Sequence, residues 1–411
     1  MTVAGAPDSE GQAASGCACA RRYDLDWLRV FAFGLLIAYH VGLFYVTWDW
    51  LLKSRYSSPF LEPALGMIDP WRLALLFFIS GAAIRFALDR SSPWRFLGLR
   101  LARLFPAFAF GIAVVCVPQS YASLRYWGEI PPGFLDFCRD YFGFGRYAFA
   151  LPDWHHLWYL AYLMTYTAAT VLCLPILRYA TVNAGAPLFR WLAAGRAWRL
   201  LLVPVLPFCV YTLWLSPYFP KTNHLWGDWT TIARTFTVFV IGFMAAGNGD
   251  FWAAVDRALQ SAVAASIALG ALLLAAWLNS FEVGADLGLL YSVLVLKDFY
   301  AWSVIVMLLG LARRFVNRPS RALTYLTAAV LPYYILHQTI IVVVGYWFTL
   351  HEAPLVVEAA SIAAATVIGC VVGYEVVRRA GPVRLLFGLP LRERRAGQAP
   401  ALRPAPIPSA E

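Results

Sequence analysis

Charge is scarce in this chain. Asp, Glu, Lys and Arg make up 14% of its 411 residues, against 61% hydrophobic residues and a mean hydropathy of +0.63. Soluble domains are nearer half apolar and a quarter charged, so a soluble globular fold is excluded. Metal-ligand spacing is also missing. The seven cysteines form no zinc pattern, and those inside apolar runs read as small fillers. No metal and no bound cofactor is expected. No internal repeat is evident, which weighs against inverted-repeat transporter folds. Residues 1–20 hold no apolar core; they are small and polar, carry Pro7, and read as a disordered tail and not a signal peptide. The net charge of +10 does not imply a nucleic-acid partner, because most of the positive charge sits in short segments beside apolar runs.

Long apolar runs are what the chain has in abundance. Ten reach or approach the length needed to cross a bilayer: Leu28–Thr47, Trp71–Leu88, Leu104–Val117, Leu157–Leu177, Leu200–Leu215, Ile232–Ala246, Ala262–Leu278, Leu289–Leu311, Leu323–Phe348 and Leu355–Val377. The third and sixth need flanking residues to reach full thickness. This pattern predicts an all-α polytopic membrane protein. Lys and Arg concentrate before the first run and after the even-numbered ones, with Arg90, Arg95, Arg100 and Arg103 after the second and Arg313, Arg314, Arg318 and Arg321 after the eighth. The positive-inside rule then puts both termini in the cytoplasm. Residues 21–380 form one membrane domain on this reading, and 381–411 a basic, Pro-rich cytoplasmic tail. The stretch Gln119–Asp153 reads as an external loop rich in aromatics, among them Tyr121, Trp127, Phe137, Tyr141, Phe144, Tyr147 and Phe149. It is either an interfacial belt with short helical pieces or a platform for stacking sugar faces.

Ionisable residues inside such runs are costly and mark function by default. The first run carries a polar stripe. Arg29 and His40, eleven positions apart, fall within about 20° of one another on a helix, and Asp26 lies about 40° to the other side of His40. His40 sits about 18 Å above Leu28, past the middle of the hydrocarbon core. In the ninth run, His337 lies about 21 Å from Leu323, at nearly the level of His40. His155, His156 and Trp158 open the fourth run at the outer surface, and Lys297 and Asp298 lie about 12 Å from the outer end of the eighth. Together they predict one polar cavity in the outer half of the membrane. The blander readings are an interhelical hydrogen bond for His337, partners within the bundle for Lys297 and Asp298, and an interfacial position for His155 and His156. On the cytoplasmic side, Arg100 and Arg103 share a helix face. They serve as positive-inside anchors, and paired guanidinium groups also suit phosphate.

The sequence Asp26-Trp-Leu-Arg29 followed by His40, then Leu76-Phe-Phe-Ile-Ser-Gly81, Arg100-x-x-Arg103-x-x-Pro106, His156-Leu-Trp-Tyr-Leu160 and Tyr333-Tyr-Ile-Leu-His337, resembles the acyltransferase-3 family of integral membrane acyltransferases. The resemblance spans roughly Arg21 to Arg379. The regions of His156 and His337 are most similar to the subgroup that includes the succinyltransferase of periplasmic glucans. The resemblance implies a ten-span domain that moves an acyl group, acetyl or succinyl, from cytoplasmic acyl-CoA to a hydroxyl of a cell-surface or periplasmic carbohydrate. It maps the essential histidine to His40 and the paired arginines to Arg100 and Arg103; the high Ala, Arg and Pro content suits a bacterial inner membrane.

Taken together, His40 and His337 are the catalytic candidates, with His40 as general base. Arg100, Arg103, Arg29 and Asp26 are the donor-binding candidates, and His155, His156 and Trp158 those on the acceptor side. Tyr334, Gln338 and Ser80 are possible oxyanion donors. The rival class is a transporter or exporter, with Lys297 and Asp298 as coupling sites and His40 as a proton relay.

Overall fold

The computed structural model describes residues 21–143, 151–279 and 287–391. The N-terminal tail, the aromatic residues Phe144, Tyr147 and Phe149, and the chain beyond Leu391 lie outside the described residues. Among the described residues every regular element is helical. In chain order the α-helices are α1 (Tyr23–Leu43), α2 (Glu62–Leu88), α3 (Pro93–Phe110), α4 (Val117–Tyr126), α5 (Phe134–Asp140), α6 (Trp158–Leu172), α7 (Leu174–Ala180), α8 (Ala186–Ala194), α9 (Trp198–Leu202), α10 (Leu206–Val210), α11 (Trp229–Ala245), α12 (Gly249–Leu278), α13 (Leu287–Phe315), α14 (Arg321–Leu350), α15 (Leu355–Arg379) and α16 (Val383–Leu386).

Among the described residues, eight segments are long and apolar enough to cross a membrane: Tyr23–Leu43, Pro59–Leu88, Pro93–Tyr126, Trp198–Leu215, Gly249–Leu278, Leu287–Phe315, Arg321–Leu350 and Leu355–Arg379. The remaining two expected spans are less regular. The fourth does not run straight to Leu177: His155–Leu172 is followed by Leu174–Ala194 at an angle of 78°. Pro175, in the first turn after the break, lacks the N–H that would continue the preceding helix. The sixth is α11, only 17 residues long.

The third span is longer than its apolar run. Helix α3 passes through a π turn, Gly111–Val115, into α4, so the expected loop begins as helix up to Tyr126. A widened π turn is a common way to shift side-chain register near a site. Here it precedes Gln119, whose amide donates to Thr339 Oγ1 at 2.6 Å and accepts from Gln338 Nε2 at 3.0 Å. The second span is also longer than its run. Helix α2 starts at Glu62 and carries Asp69, Pro70 and Arg72 inside it.

Close helix contact fixes the core. Helices α2 and α11 meet at Gly81 and Gly242. A Cβ on Gly81 would collide with the carbonyl oxygen of Phe239, and one on Gly242 with that of Phe78. Small residues at membrane helix interfaces permit this backbone approach. The first residues of the basic C-terminal stretch also join the core: Phe387 and Leu389 are buried, and Phe387 packs its ring 5.4 Å from that of Phe110.

Candidate functional site

Counting depth along two helices places His40 and His337 at one level, and they meet. His40 Nδ1 lies 2.9 Å from His337 Nε2. The partners of His337 fix the direction of this bond. Its Nδ1 lies 2.8 Å from the carbonyl oxygen of Tyr334 and 3.2 Å from that of Tyr333, which can only accept. His337 Nδ1 therefore carries the proton, and in the neutral ring its Nε2 is an acceptor. His40 Nδ1–H donates to it, so the lone pair of a neutral His40 is on Nε2. His337 is fully buried behind this pair, whereas His40 lines a cavity of about 710 Å³.

That cavity opens among residues 48–51, 123–129, 153–156 and 221–224, and Tyr159, Tyr334 and Gln338 line it too. His156 belongs to it. Its ring stands edge-on to His337 with centroids 5.1 Å apart, its Nε2 donates to the Ile335 carbonyl at 3.2 Å, and its Nδ1 has no hydrogen-bond partner among the described residues. Trp158 lines the cavity as well. His155 is tied at both ring nitrogens, to Ser120 Oγ at 2.7 Å and to Asp153 at 3.3 Å. Its φ of 42° is unusual for a non-glycine residue, and its backbone N–H donates to the Asp153 carboxylate at 3.2 Å. His155 is thus a held corner of the cavity wall, and His156 is the one with a free ring nitrogen.

Two charged residues at the site escaped the sequence reading. Arg72 lies over the ring of Tyr39, 3.2 Å from its centroid, and pairs with Asp69 at 3.3 Å. Tyr39 donates to the same carboxylate at 3.2 Å. Arg72 is buried, and its Nε and Nη1 make no hydrogen bond among the described residues. Asp69 and Arg72 line the cavity beside His40. Their i,i+3 spacing was visible, but they straddle the start of the apolar run at Trp71, so they looked like residues of the membrane boundary. Of the oxyanion candidates, Tyr334 donates to the His156 carbonyl, Gln338 lines the cavity, and Ser80 is 2.9 Å from the Tyr159 hydroxyl.

The arginines gather at the other end of α1, about 16 Å from His40 along the helix. Arg29, Arg100 and Arg103 stand close enough to repel one another. Asp26 is engaged with Arg21 at 2.8 Å and Arg29 at 3.7 Å. Arg103 donates to the Gly388 carbonyl, and Arg100 Nε has no hydrogen-bond partner among the described residues. Tyr159 connects the two ends: it lines the histidine cavity and lies within electrostatic reach of Arg29 and Arg100.

Lys297 and Asp298 do not line the histidine cavity, contrary to the single polar cavity expected. They line a second chamber beside it. Asp298 is satisfied there, as the blander reading had it, by an ion pair with Arg234 and by the Thr212 hydroxyl at 2.6 Å. Arg234 is the partner that the apolar run Ile232–Ala246 concealed.

The chain is thus a multi-span helical protein with a buried histidine pair at the wall of a polar cavity and arginines gathered near the opposite end of α1. Residues 22–375 match the domain model of the acyltransferase-3 family, described as an acyltransferase domain, and the chain belongs to that family. It is a membrane acyltransferase. No curated protein and no solved structure matches the chain.

Proposed function

We propose that this acyltransferase takes an acetyl or succinyl group from acyl-CoA on the cytoplasmic side and transfers it to a hydroxyl of an extracytoplasmic carbohydrate, with both termini cytoplasmic and the protein in the bacterial inner membrane. The observation that carries the reading is the His40–His337 bond. It leaves Nε2 of a cavity-lining histidine as an acceptor, which is what a general base needs.

The phosphates of CoA dock on Arg29, Arg100 and Arg103, and the extended pantetheine arm brings the thioester past Tyr159 to His40. Asp26 orients Arg29. The carbohydrate enters from the outer cavity between His156 and Trp158. Its hydroxyl gives its proton to His40 Nε2 as the oxygen attacks the thioester carbon. The tetrahedral adduct then collapses: the C–S bond breaks and the leaving thiolate takes the proton from His40, giving an ester and free CoA. His337 accepts from the imidazolium formed in between, holding its ring in place. The fixed positive charge of Arg72 favours the oxyanion.

The test uses the purified full chain in detergent with radiolabelled acetyl-CoA and succinyl-CoA and a periplasmic glycan fraction, wild type beside His40→Ala. Label reaching the glycan with wild type alone supports the reading. Equal transfer by a folded His40→Ala protein overturns it.

A further inference from the structure

The second chamber takes no part in the reaction described above. It has a volume of about 360 Å³ and shares Asp69, Leu73, Trp158 and Lys221 with the histidine cavity. Its cations are Lys221, Arg234 and Lys297. Its carboxylates are already engaged: Asp298 with Arg234 and Thr212, Asp69 with Arg72 and Tyr39. Lys297 and Lys221 therefore make no hydrogen bond and no ion pair among the described residues, and the opposite charge that acts on Lys297 is that of Asp69. Lys297 sits about 15 Å into α13 from Leu287. A cation at such depth is costly unless a partner meets it, which makes the chamber a ligand site by default.

The shape of the chamber narrows the ligand. Phe208, Leu294, Trp302 and Ile305 give it apolar walls around the charged groups. That combination suits a few methylene groups or a ring face carrying one negative charge. The outer cavity is the opposite, since Asp49, Asp69, Glu129 and Asp153 line it against Arg72 and Lys221. An anionic group entering the site is turned away from the mouth and toward the chamber.

We propose that the chamber is an anion subsite, centred on Lys297 and Lys221, that receives a carboxylate carried by one of the two substrates: at the far end of a dicarboxylic acyl group, or on an acidic sugar acceptor. This rests on the reaction proposed above and adds to it the chemistry that selects the substrate.

The experiment measures binding to the detergent-purified full chain of two ligand pairs, succinyl-CoA against acetyl-CoA and glucuronate against glucose. Wild type is compared with Lys297→Gln, Lys297→Arg and Lys221→Gln. Loss of a charge-assisted contact weakens the carboxylated member of one pair by about tenfold in Lys297→Gln and leaves its neutral partner within about twofold. Lys297→Arg retains the preference. Loss confined to succinyl-CoA makes the acyl group the source, and loss confined to glucuronate makes it the acceptor; either supports the subsite. Unchanged binding in both pairs, or equal loss of charged and neutral members, overturns it. Lys221 lines the chamber and is exposed, and its replacement does not threaten the fold, so an absent effect there, with Lys297→Gln unfolded, also overturns it. If wild type binds neither thioester, the reaction reading fails, and the sugar pair still decides the subsite.

Discussion

His40 and His337 lie 297 residues apart in sequence, and their rings share one hydrogen bond of 2.9 Å. The bond has a direction, because His337 spends its only proton on backbone carbonyls. The two histidines are therefore not equivalent. Replacing the base, His40→Ala, lowers turnover by about 10²–10⁴ in a protein that still folds. His337 acts through His40 and does not line the cavity. His337→Ala therefore lowers kcat by about tenfold or more with KM for the donor unchanged, and His337→Gln, which keeps an acceptor, restores part of it. Steady-state kinetics on the three variants check this. A rise in KM with kcat intact would mean that His337 only holds the bundle together.

At the other end of α1 the expected signature is reversed. Arg100 has an unsatisfied Nε, and its neighbours Arg29 and Arg103 repel it. Such a cluster is unfavourable until an anion fills it. Arg100→Gln removes about one charge-assisted hydrogen bond to phosphate and raises KM for acyl-CoA by about tenfold or more, with kcat changing less. The apo protein loses no stability and gains some, since a repulsion is relieved. Paired measurements of KM and melting temperature read both. A melting temperature lowered with KM unchanged would assign Arg100 to the fold alone.

The depth of the two histidines was legible because a helix advances a fixed distance per residue, and two apolar runs of known direction give a common ruler. The closeness of Arg100 and Arg103 was legible by their spacing. What the sequence concealed has one cause. An apolar run marks where hydrophobicity is continuous, not where a helix ends. Asp69 fell just outside the run that begins at Trp71 and Arg72 at its very start, yet the helix starts at Glu62 and carries both to the cavity. Arg234 was averaged away inside an apolar stretch. Gln119 was assigned to a loop because the π turn that continues its helix leaves no pattern in polarity. The turn after Leu172 was signalled by Pro175, but a proline inside an apolar run does not say whether a helix kinks or stops. Pro70 and Pro332 lie inside α2 and α14, which continue through them.

The meeting of α2 and α11 makes a prediction about Gly81 and Gly242. Each faces a carbonyl oxygen of the opposite helix, which cannot move without its helix. Gly81→Ala or Gly242→Ala forces the helices apart and costs about 1–3 kcal/mol or more. At Gly34 in α1 a methyl group would meet no atom within 4 Å, so Gly34→Ala is neutral or slightly stabilising through helix propensity. Melting temperatures in detergent separate the three. Equal behaviour of Gly81→Ala and Gly34→Ala would contradict the close approach.

Lys53 offers a pH test outside the spans. Its ammonium donates to the Leu43 carbonyl at 2.9 Å, at the C-terminal end of the helix that carries His40. Burial is the main cause that lowers its pKa to about 8, with Asp49 and Glu62 acting in the other direction. A lysine whose folded pKa lies below the unfolded value binds fewer protons when folded. Stability therefore rises with pH, starting near the folded pKa of about 8 and levelling off above the unfolded value of about 10.4. Below that window both states are charged and the penalty of burial is present in full. Lys53→Met removes the titration, so the difference in stability between wild type and variant narrows or changes sign as pH rises across the window. Melting curves of both proteins from pH 7 to pH 10 read it directly, and parallel curves would show that the Lys53 ammonium is as well solvated in the folded protein as in the unfolded chain.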